Sequence, residues 1–146
     1  MGAHLLDRII GAELPEFPTE NALRAFEATP YDERITAQST YDALKIGAAS
    51  NSAPPAIHFL QRCEPDETPL TISHGEFIGK VTQTANLLAD LGVGPRDVVS
   101  FMLPLLPQSF YTLFGAEAAG IANPVNPLLE PHQIAEILRA AGTKIL

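Results

Sequence analysis

Residues 98–127 read VVSFMLPLLPQSFYTLFGAEAAGIANPVNP, and the expected architecture follows from this segment. It opens with a continuous apolar run, Val98 to Leu103, which is typical of a strand buried on both faces of a parallel sheet. Two prolines end the run, and residues 108–119 then predict a helix that stops at Gly120. Ile121 to Val125 predicts the next strand. Strand, helix, strand in this order indicates a parallel α/β sheet.

Helices are predicted on both sides of this segment. Upstream, Ser73 and Glu76 form a capping box at the start of a helix that ends at Gly92 and Gly94. Its apolar positions have helical spacing: Phe77, Val81, Ala85, Leu88 and Leu91. Downstream, Pro131 fits the first turn of a further helix. The buried stripe that we predict for that helix is Ile134, Ile137, Leu138 and Ala141.

The part before Ser73 predicts a helix and a hairpin. Thr40 is a suitable N-cap for a short helix whose inward residues would be Tyr41, Leu44 and Ala48. Residues 56–60 and 70–72 read as two strands, and residues 64–67 as the turn between them. Residues 1–39 differ, because short apolar clusters at 5–10 and 23–26 lie between prolines. We interpret them as a lead-in of short helices and loops.

The expected fold class is therefore α/β, with a partial parallel sheet and flanking helices. Residues 40–146 would form this α/β portion, and residues 1–39 the lead-in segment. Residues 144–146 read as the beginning of a further strand. Because a sheet seldom stops inside a strand that it needs, we expect the chain to be a fragment of a larger domain.

Composition excludes several classes of partner. The chain has 9 basic and 17 acidic residues, a formal net charge of −8, and its basic residues are scattered singly. Such a chain has no patch that could neutralise a run of phosphates, so we expect no nucleic-acid partner. The same balance disfavours binding to anionic lipid headgroups. Hydrophobic residues make up 46% of the sequence, which is ordinary for a globular protein.

Cysteine content and hydropathy bear on the expected location. Cys63 is the single cysteine, so no internal disulfide can form. No secretory signal is visible at the N-terminus, and no apolar run approaches the roughly 20 residues that span a bilayer. The expected location is the cytoplasm, and a peripheral position at a membrane is left open.

None of the motifs that suggest chemistry assembles a catalytic or metal site. Gly92 and Gly94 follow a helix and precede a strand, which is the reverse of a dinucleotide-binding loop. Ser73 lacks the glycines of a nucleophile elbow and is better explained as a helix cap. His132 and Glu136 lie one helical turn apart without a third ligand, which favours a solvated helix face. We therefore predict no catalytic residue and no metal ligand in this chain.

The sequence from residue 39 onward nevertheless resembles a known family. The matching pieces are STYDALKIGAASNSAPPAIHF (39–59), LADLGVGPRDVV (88–99), MLPLLPQSF (102–110), GAEAAGIANPVNPLL (115–129) and EPHQIAEILRAAGTKIL (130–146). In this order and spacing they resemble the N-terminal portion of the large domain of adenylate-forming (AMP-binding) enzymes. The NPLL at 126–129 is more similar to acyl-CoA synthetases than to the adenylation domains of peptide synthetases.

This resemblance implies an acid–CoA ligase of the AMP-forming type. Such an enzyme joins a small carboxylic acid to CoA and converts ATP into AMP and pyrophosphate with the help of Mg²⁺. The family's phosphate-gripping loop, magnesium-holding glutamate, adenine pocket and C-terminal lysine lie later in its sequence, and none of these motifs occurs here. The resemblance therefore implies a fragment that is inactive alone and binds no cofactor tightly.

One turn has a claim to ligand contact through the resemblance. In related enzymes the turn that matches Asn126-Pro127-Leu128 lies near the path by which CoA approaches, and some relatives carry a basic residue there. Leu128 cannot pair with a phosphate, so Asn126 and Leu128 would contact CoA through backbone or apolar packing. The alternative interpretation is a turn that only ends a strand and starts a helix.

Two further hypotheses remain beside the fragment of a CoA-ligating enzyme. One is a stand-alone α/β binding or assembly module without catalysis, because a fold does not fix a function. The other, a nucleotide-binding regulatory domain, lacks a phosphate-binding loop in this sequence. We also expect an exposed, unfinished sheet edge near residues 144–146 to favour self-association into a homo-oligomer.

Overall fold

The computed structural model describes residues 18–30, 33, 35–50 and 52–146. The chain divides into two compact units, residues 1–38 and residues 39–146. The predicted apolar cluster at residues 5–10 lies outside the described residues. Within the described part of the chain, no helix is both long and apolar enough to cross a membrane.

The described part of the first unit contains helix α1 (Glu20–Glu27). The Thr19 hydroxyl caps it by accepting a hydrogen bond from the Ala22 amide at 3.2 Å. Arg24 and Glu20 form an exposed ion pair at 2.6 Å, one turn apart. A pair this exposed adds little stability. The helix includes the predicted apolar cluster at 23–26, but it has no buried residue.

The second unit holds the elements from which the rest of the fold is built. In chain order they are α2 (Thr40–Ser50), β1 (Pro55–Phe59), β2 (Leu70–Ser73), α3 (His74–Asp90), β3 (Val98–Phe101), α4 (Pro107–Ala119), β4 (Ile121–Pro124), α5 (Pro131–Ala141) and β5 (Thr143–Ile145).

Helix α2 begins where the sequence predicted it, but its cap is Ser39 and not Thr40. The Ser39 hydroxyl accepts from the Asp42 amide at 3.1 Å, and the Ser39 carbonyl accepts from the Ala43 amide at 2.9 Å. Serine and threonine both cap helices well, so two adjacent candidates could not be separated by sequence. Thr40 is instead the first helical residue.

Strands β1 and β2 form the predicted antiparallel hairpin, in which Ile57 pairs with Ile72. The loop between them is organised around the carboxylate of Glu67. This carboxylate accepts hydrogen bonds from the backbone amides of Gln61 at 2.6 Å and Arg62 at 2.9 Å. Cys63 has a positive φ of 55° in this loop, which turns successive amides toward the carboxylate.

Helix α3 confirms the predicted capping box at its start. The Ser73 hydroxyl accepts from the Glu76 amide at 3.2 Å, and the Glu76 carboxylate accepts from the Ser73 amide at 2.9 Å. The helix ends at Asp90, and Gly92 follows its C-cap with a φ of 82°, which allows the Val93 amide to reach the Leu88 carbonyl at 2.9 Å. Leu91, predicted to face inward, is 57% exposed, because it follows the last helical residue and leaves the buried face.

Among the described residues, β3, β4 and β5 form a parallel sheet in the order β4-β3-β5. Val98 pairs with Ile121 on one side and with Thr143 on the other. The parallel α/β architecture expected from the sequence is thus confirmed. Strand β3 is shorter than the predicted run to Leu103, since regular pairing ends at Phe101.

A polar row crosses the middle of this sheet at Ser100, which lies within the run Val98 to Leu103 that the sequence analysis treated as apolar. Ser100 on β3 is 1% exposed. Its hydroxyl lies 2.6 Å from that of Thr143 on β5 and accepts from the side-chain amide of Asn123 on β4 at 2.8 Å. A buried hydroxyl is costly unless it is paired, and here both neighbours satisfy it.

Two apolar clusters hold the second unit together. The first contains buried Ile72, Phe77 and Val81, with Phe110, Tyr111 and Phe114 of α4 packed against them. The second contains buried Leu88, Val93, Val99 and Ala116. Helix α5 joins neither cluster with a buried residue, and Ile137 of its predicted stripe is 36% exposed. The inward face of α5 is therefore only half-buried.

Candidate functional site

The turn after β4 lies at the carboxyl edge of the parallel sheet. The Val125 amide donates to the Phe101 carbonyl at 2.9 Å, which continues the alignment with β3 past the end of β4. Val125 is buried, so the turn that follows starts from a fixed point. Open α/β sheets bind their ligands outside the carboxyl ends of the strands. The predicted ligand-side turn is thus at the edge where this architecture supports a site.

Asn126 shapes this turn through its own side chain. Its Oδ1 accepts a hydrogen bond from the Leu128 amide at 2.9 Å, and its carbonyl accepts from the Leu129 amide at 3.4 Å. This arrangement is an Asx turn, in which an asparagine side chain replaces a backbone carbonyl. Leu128 is 89% exposed. The structure therefore brings both predicted residues into one turn, with the leucine side chain presented to solvent.

Helix α5 begins directly after this turn. The Glu130 amide donates to the Gln133 side chain at 3.1 Å, and the Gln133 amide donates to the Glu130 carbonyl at 2.9 Å. Residues 126–130 carry no basic side chain. A phosphate that approached this turn would therefore meet backbone dipoles and an apolar side chain, together with the Glu130 carboxylate.

An apolar cavity of about 340 Å³ opens beside the same edge. It is lined by Phe101, Leu103, Pro104, Leu105, Ser109, Phe110, Leu113 and Pro124. Leu105 is 78% exposed at its rim. The Ser109 hydroxyl already donates a hydrogen bond to the Pro104 carbonyl and accepts one from the Leu106 amide. The cavity can thus take apolar groups but offers little polar chemistry.

A second cavity, of about 490 Å³, lies between β2, α3 and α4, and it is more polar. Glu76, Lys80 and Tyr111 are among its lining residues. Partial burial, together with the nearby Glu76 charge, raises the pKa of the Tyr111 phenol above its usual value of 10.0. Hydrogen bonds from the backbone and hydroxyl of Ser73 lower the pKa of Glu76. Glu76 is therefore a charged helix cap at neutral pH and not a proton donor.

Four other polar residues, Ser73, His58, His132 and Glu136, do not converge on a site. Ser73 is engaged in the helix cap, as predicted. His58 pairs across the hairpin with the Thr71 hydroxyl at 3.1 Å. His132 and Glu136 are exposed on α5. In the described part of the chain, no group of three or more His, Cys, Asp or Glu could hold a metal ion.

Asp97 and Lys144 form a contact that the sequence reasoning missed. Lys144 Nζ lies 2.6 Å from Asp97 Oδ2, and the Gly94 amide donates to the same oxygen at 2.8 Å. The Lys144 ammonium and then the Gly94 amide lower the pKa of Asp97 below its usual value of 3.8. The two residues are 47 positions apart, so no local pattern links them.

Three carboxylates give the fold a defined acid sensitivity. Partial desolvation raises the pKa of Glu67, but its backbone hydrogen bonds outweigh this effect, and the net value lies below 4.5. Glu76 and Asp97 are lowered as well. A lowered folded-state pKa stabilises the fold fully above the unfolded-state pKa, and this contribution is lost as pH falls through the folded-state value.

We therefore expect the unfolding free energy to fall with pH from about pH 4.5 downward. Asp97→Asn should make this decline shallower, because one of the shifted carboxylates is gone. Lys144→Met should reproduce part of that change, since it removes the first cause of the Asp97 shift. Urea unfolding followed by circular dichroism between pH 7 and pH 2 measures the effect. A slope that is the same in Asp97→Asn as in the unmodified chain would contradict it.

Comparison with known proteins assigns the chain to a family. The family described as "AMP-binding enzyme" matches residues 48–146, which include the hairpin, the parallel sheet and the turn at Asn126. The chain belongs to this family. The resemblance to adenylate-forming (AMP-binding) enzymes that the sequence analysis described is therefore confirmed.

Several curated relatives of the AMP-binding family are CoA ligases. A marinolic acid–CoA ligase of Pseudoalteromonas sp. (strain SANK 73390) is 32% identical over 124 residues, which cover 85% of this chain and 19% of the relative. A peroxisomal benzoate–CoA ligase of Arabidopsis thaliana is 33% identical over 114 residues, 72% of this chain and 20% of the relative. The chain thus spans about a fifth of the length of these relatives.

Solved structures of adenylate-forming enzymes have the same fold as the second unit of this chain. A fatty acyl CoA synthetase of Mycobacterium tuberculosis superposes with a TM-score of 0.64 at 21% identity, covering 73% of this chain and 20% of the other. The N-terminal subdomain of NpsA from Klebsiella oxytoca gives 0.62 at 20% identity, covering 72% and 26%. At these identities the likeness shows the fold alone, which agrees with the α/β architecture of the second unit.

The cavity beside the turn is the other feature that sequence reasoning missed. Phe110 and Leu113 of α4 line this opening and are only half-buried. The available signal was Leu105, an apolar residue between Pro104 and Pro107 where no core was expected. Exposed leucines between prolines are therefore worth testing as rims of cavities.

Proposed function

We propose that this chain is part of an AMP-forming acyl-CoA synthetase. In the first step a carboxylate oxygen attacks the α-phosphorus of ATP, pyrophosphate leaves, and an acyl-adenylate results. In the second step the sulfur of CoA attacks the acyl carbon, the thiol proton is released, and AMP leaves. The observation that carries the proposal is the family match over residues 48–146, in which the named relatives are CoA ligases.

The described residues contribute scaffold to this reaction. They have a parallel sheet, two clusters of buried apolar residues and a shaped turn, and they provide no group of ligands for Mg²⁺. We propose that ATP and Mg²⁺ are held by residues outside 1–146 in the full-length enzyme, and that the isolated chain is inactive. In this proposal residues 40–146 are the first α/β portion of the AMP-binding domain, and residues 1–39 lead into it.

The direct test uses the complete gene product. Incubated with ATP, Mg²⁺, CoA and a panel of short, aromatic and fatty carboxylic acids, it should form an acyl-CoA with release of AMP, detectable by mass spectrometry. The 146-residue chain should show no ATP–pyrophosphate exchange with any acid of the panel. Acyl-adenylate formed without a thioester would point to another branch of the family. A complete product without any adenylation would favour the stand-alone binding module instead.

We propose that Asn126 and Leu128 line the approach of CoA in the full-length enzyme. Support comes from the position of their turn at the carboxyl edge of the sheet and from the 89% exposure of Leu128. Leu128→Asp would place a negative charge toward the phosphates of CoA. Repulsion across a solvated surface should raise the KM for CoA by about fivefold while kcat changes little.

Leu87→Asp is the matched control, because Leu87 is an exposed leucine on α3 and is 57% exposed. Steady-state kinetics of both variants with varied CoA measure the difference. If Leu128→Asp leaves the KM for CoA unchanged, the turn only ends a strand and starts a helix. The same result would leave the proposed reaction class standing.

We propose that the isolated chain self-associates through the open edges of its sheet. Strands β4 and β5 are the outer strands of β4-β3-β5, Ile121 on β4 is 47% exposed, and Leu146 beyond β5 is 65% exposed. Unpaired strand edges with apolar neighbours favour pairing between copies. Light scattering should show dimers or larger species at high concentration, and Ile121→Lys should reduce them. A strictly monomeric chain at every concentration would contradict the proposal.

For the location we propose the cytoplasm, because the single cysteine gives no sign of an oxidising compartment. Several Arabidopsis relatives are named as peroxisomal enzymes. Fluorescence microscopy of the tagged full-length protein distinguishes the two compartments, and a peroxisomal signal would contradict the cytoplasmic assignment.

A further inference from the structure

A buried hydrogen bond joins β3 and β4 shortly before the turn at Asn126. Ser100 and Asn123 are paired positions of the two strands, and the Asn123 side-chain amide donates to the Ser100 hydroxyl at 2.8 Å. Ser100 is 1% exposed, and Asn123 is half-buried. A buried polar atom without its partner is costly, so this contact favours the alignment of β4 in which the two side chains meet.

The side-chain contact specifies the alignment of β4 more sharply than its backbone does. β4 has four residues (Ile121–Pro124), and successive residues of β3 offer it the same backbone groups. A shift by one residue would turn every side chain of β4 to the opposite face of the sheet. Asn123 would then point away from Ser100, so their hydrogen bond distinguishes the observed alignment from the neighbouring ones.

The alignment of β4 determines where the following turn begins. Val125 is buried, and its amide donates to a carbonyl of β3 at 2.9 Å. Asn126 is the next residue, and its Oδ1 accepts from the Leu128 amide at 2.9 Å. Only Pro124, whose φ is fixed by its ring, separates Asn123 from Val125. A displacement of β4 would therefore displace the turn with it.

Ser100 has a second partner on its other side. The Thr143 hydroxyl on β5 lies 2.6 Å from the Ser100 hydroxyl, and Thr143 is half-buried like Asn123. Loss of either partner removes one hydrogen bond from the same buried hydroxyl. Only Asn123 lies on the strand that leads into the turn, because β5 comes after α5.

We propose that Ser100 and Asn123 are a positioning pair, whose hydrogen bond sets the alignment of β4 on β3 and thereby the place of the turn at residues 126–130. In the full-length enzyme, Asn123 then affects CoA binding without touching CoA. This kinetic consequence rests on the proposed role of Asn126 and Leu128 at the approach of CoA, whereas the positioning itself does not.

Hydrogen exchange measured by mass spectrometry on the full-length protein tests the positioning. Asn123→Ala should accelerate exchange in peptides from residues 125–130 by about fivefold, the size expected for one lost hydrogen bond, and leave residues 74–90 unchanged. Asn123→Leu keeps more of the side-chain volume but also lacks the donor, so it should do the same. Thr143→Val is the matched control and should leave exchange in 125–130 within about twofold of the unmodified protein.

Steady-state kinetics of the same variants test the consequence for CoA. Asn123→Ala should raise the KM for CoA by about fivefold, while the KM for ATP and kcat change little. Thr143→Val should leave all three constants unchanged. A contribution to stability alone would depend on both partners of Ser100 and would not affect CoA selectively.

The positioning pair is wrong if both Asn123 variants leave exchange in 125–130 unchanged, or if Thr143→Val accelerates it by the same factor. It is also wrong if 74–90 accelerates together with 125–130, because the bond would then stabilise the whole domain. Faster exchange in 125–130 with an unchanged KM for CoA would confirm the positioning and contradict the CoA role of the turn. A full-length protein that forms no acyl-CoA would contradict the proposed reaction, and the exchange measurement would still decide the positioning.

Discussion

Phe77→Ala should lower the unfolding free energy by about 4 kcal/mol, the largest effect that we expect from a single substitution in this chain. Phe77 is 6% exposed, and its ring centroid lies 5.7 Å from that of Tyr111 and 5.9 Å from that of Phe114. The substitution would remove the contact between α3 and two aromatic rings of α4 and leave a cavity. Since domains of this size are stable by about 5–15 kcal/mol, the substitution would remove a large part of the free energy of unfolding.

Urea unfolding followed by circular dichroism measures this effect against two controls. Phe77→Leu keeps most of the volume and should cost less than about 2 kcal/mol. Leu87→Ala removes an exposed leucine from the same helix and should stay within about 0.5 kcal/mol of the unmodified chain. If Phe77→Ala costs no more than Leu87→Ala, the cluster around Phe77 does not stabilise the unit.

Gly120→Ala should cost about 3 kcal/mol, because a methyl group has no space at this position. A Cβ atom on Gly120 would lie 2.5 Å from the Asp97 carbonyl oxygen, 2.9 Å from the Gly94 carbonyl oxygen and 2.9 Å from Val93 Cγ1. Two of these neighbours are backbone atoms in a tight turn, so they cannot rotate away. The loop between α3 and β3 would have to shift to make room. This shift is opposed by the hydrogen bond that the Ile121 amide donates to the Asp97 carbonyl at 2.9 Å.

Gly79→Ala is the control that separates crowding from the loss of glycine itself. A Cβ on Gly79 has no heavy atom within 4 Å, and the residue lies inside α3. Alanine is the better helix former there, so this variant should gain up to about 1 kcal/mol. Thermal or urea unfolding of both variants gives the comparison. Equal unfolding free energies of Gly120→Ala and the unmodified chain would contradict the prediction, because the loop would then adjust to the methyl group without loss of stability.

Element order and the position of helix ends followed from local patterns. The capping box at Ser73 and Glu76, the stop at Gly92 and the proline at the start of α5 are each read within a few residues. Local signals did not identify the N-cap of α2, because Ser39 and Thr40 are adjacent and cap helices about equally well. They also failed where an element ended earlier than its apolar pattern, as at Leu91.

The sequence predicted where the turn at residues 126–128 lies, but it did not predict the conformation of that turn. A strand end followed by Asn-Pro indicates a turn, but the hydrogen bond from the Leu128 amide to the Asn126 side chain appears only in three dimensions. The cavity lined by Leu103, Leu105 and Leu113 also could not be predicted, because its walls come from a strand end, a loop and the adjoining helix. Periodicity describes one element at a time and gives no distance between elements.

By itself the sequence determined the α/β class, the order of helices and strands, and the resemblance to adenylate-forming enzymes, because each depends on spacing along the chain. Tertiary structure alone decided that Ser100 is buried between the hydroxyl of Thr143 and the side-chain amide of Asn123. It also decided that the Lys144 ammonium reaches the Asp97 carboxylate. These partners are separated by 23 to 47 positions. Their contact depends on how three strands align side by side, which no local pattern of side chains specifies.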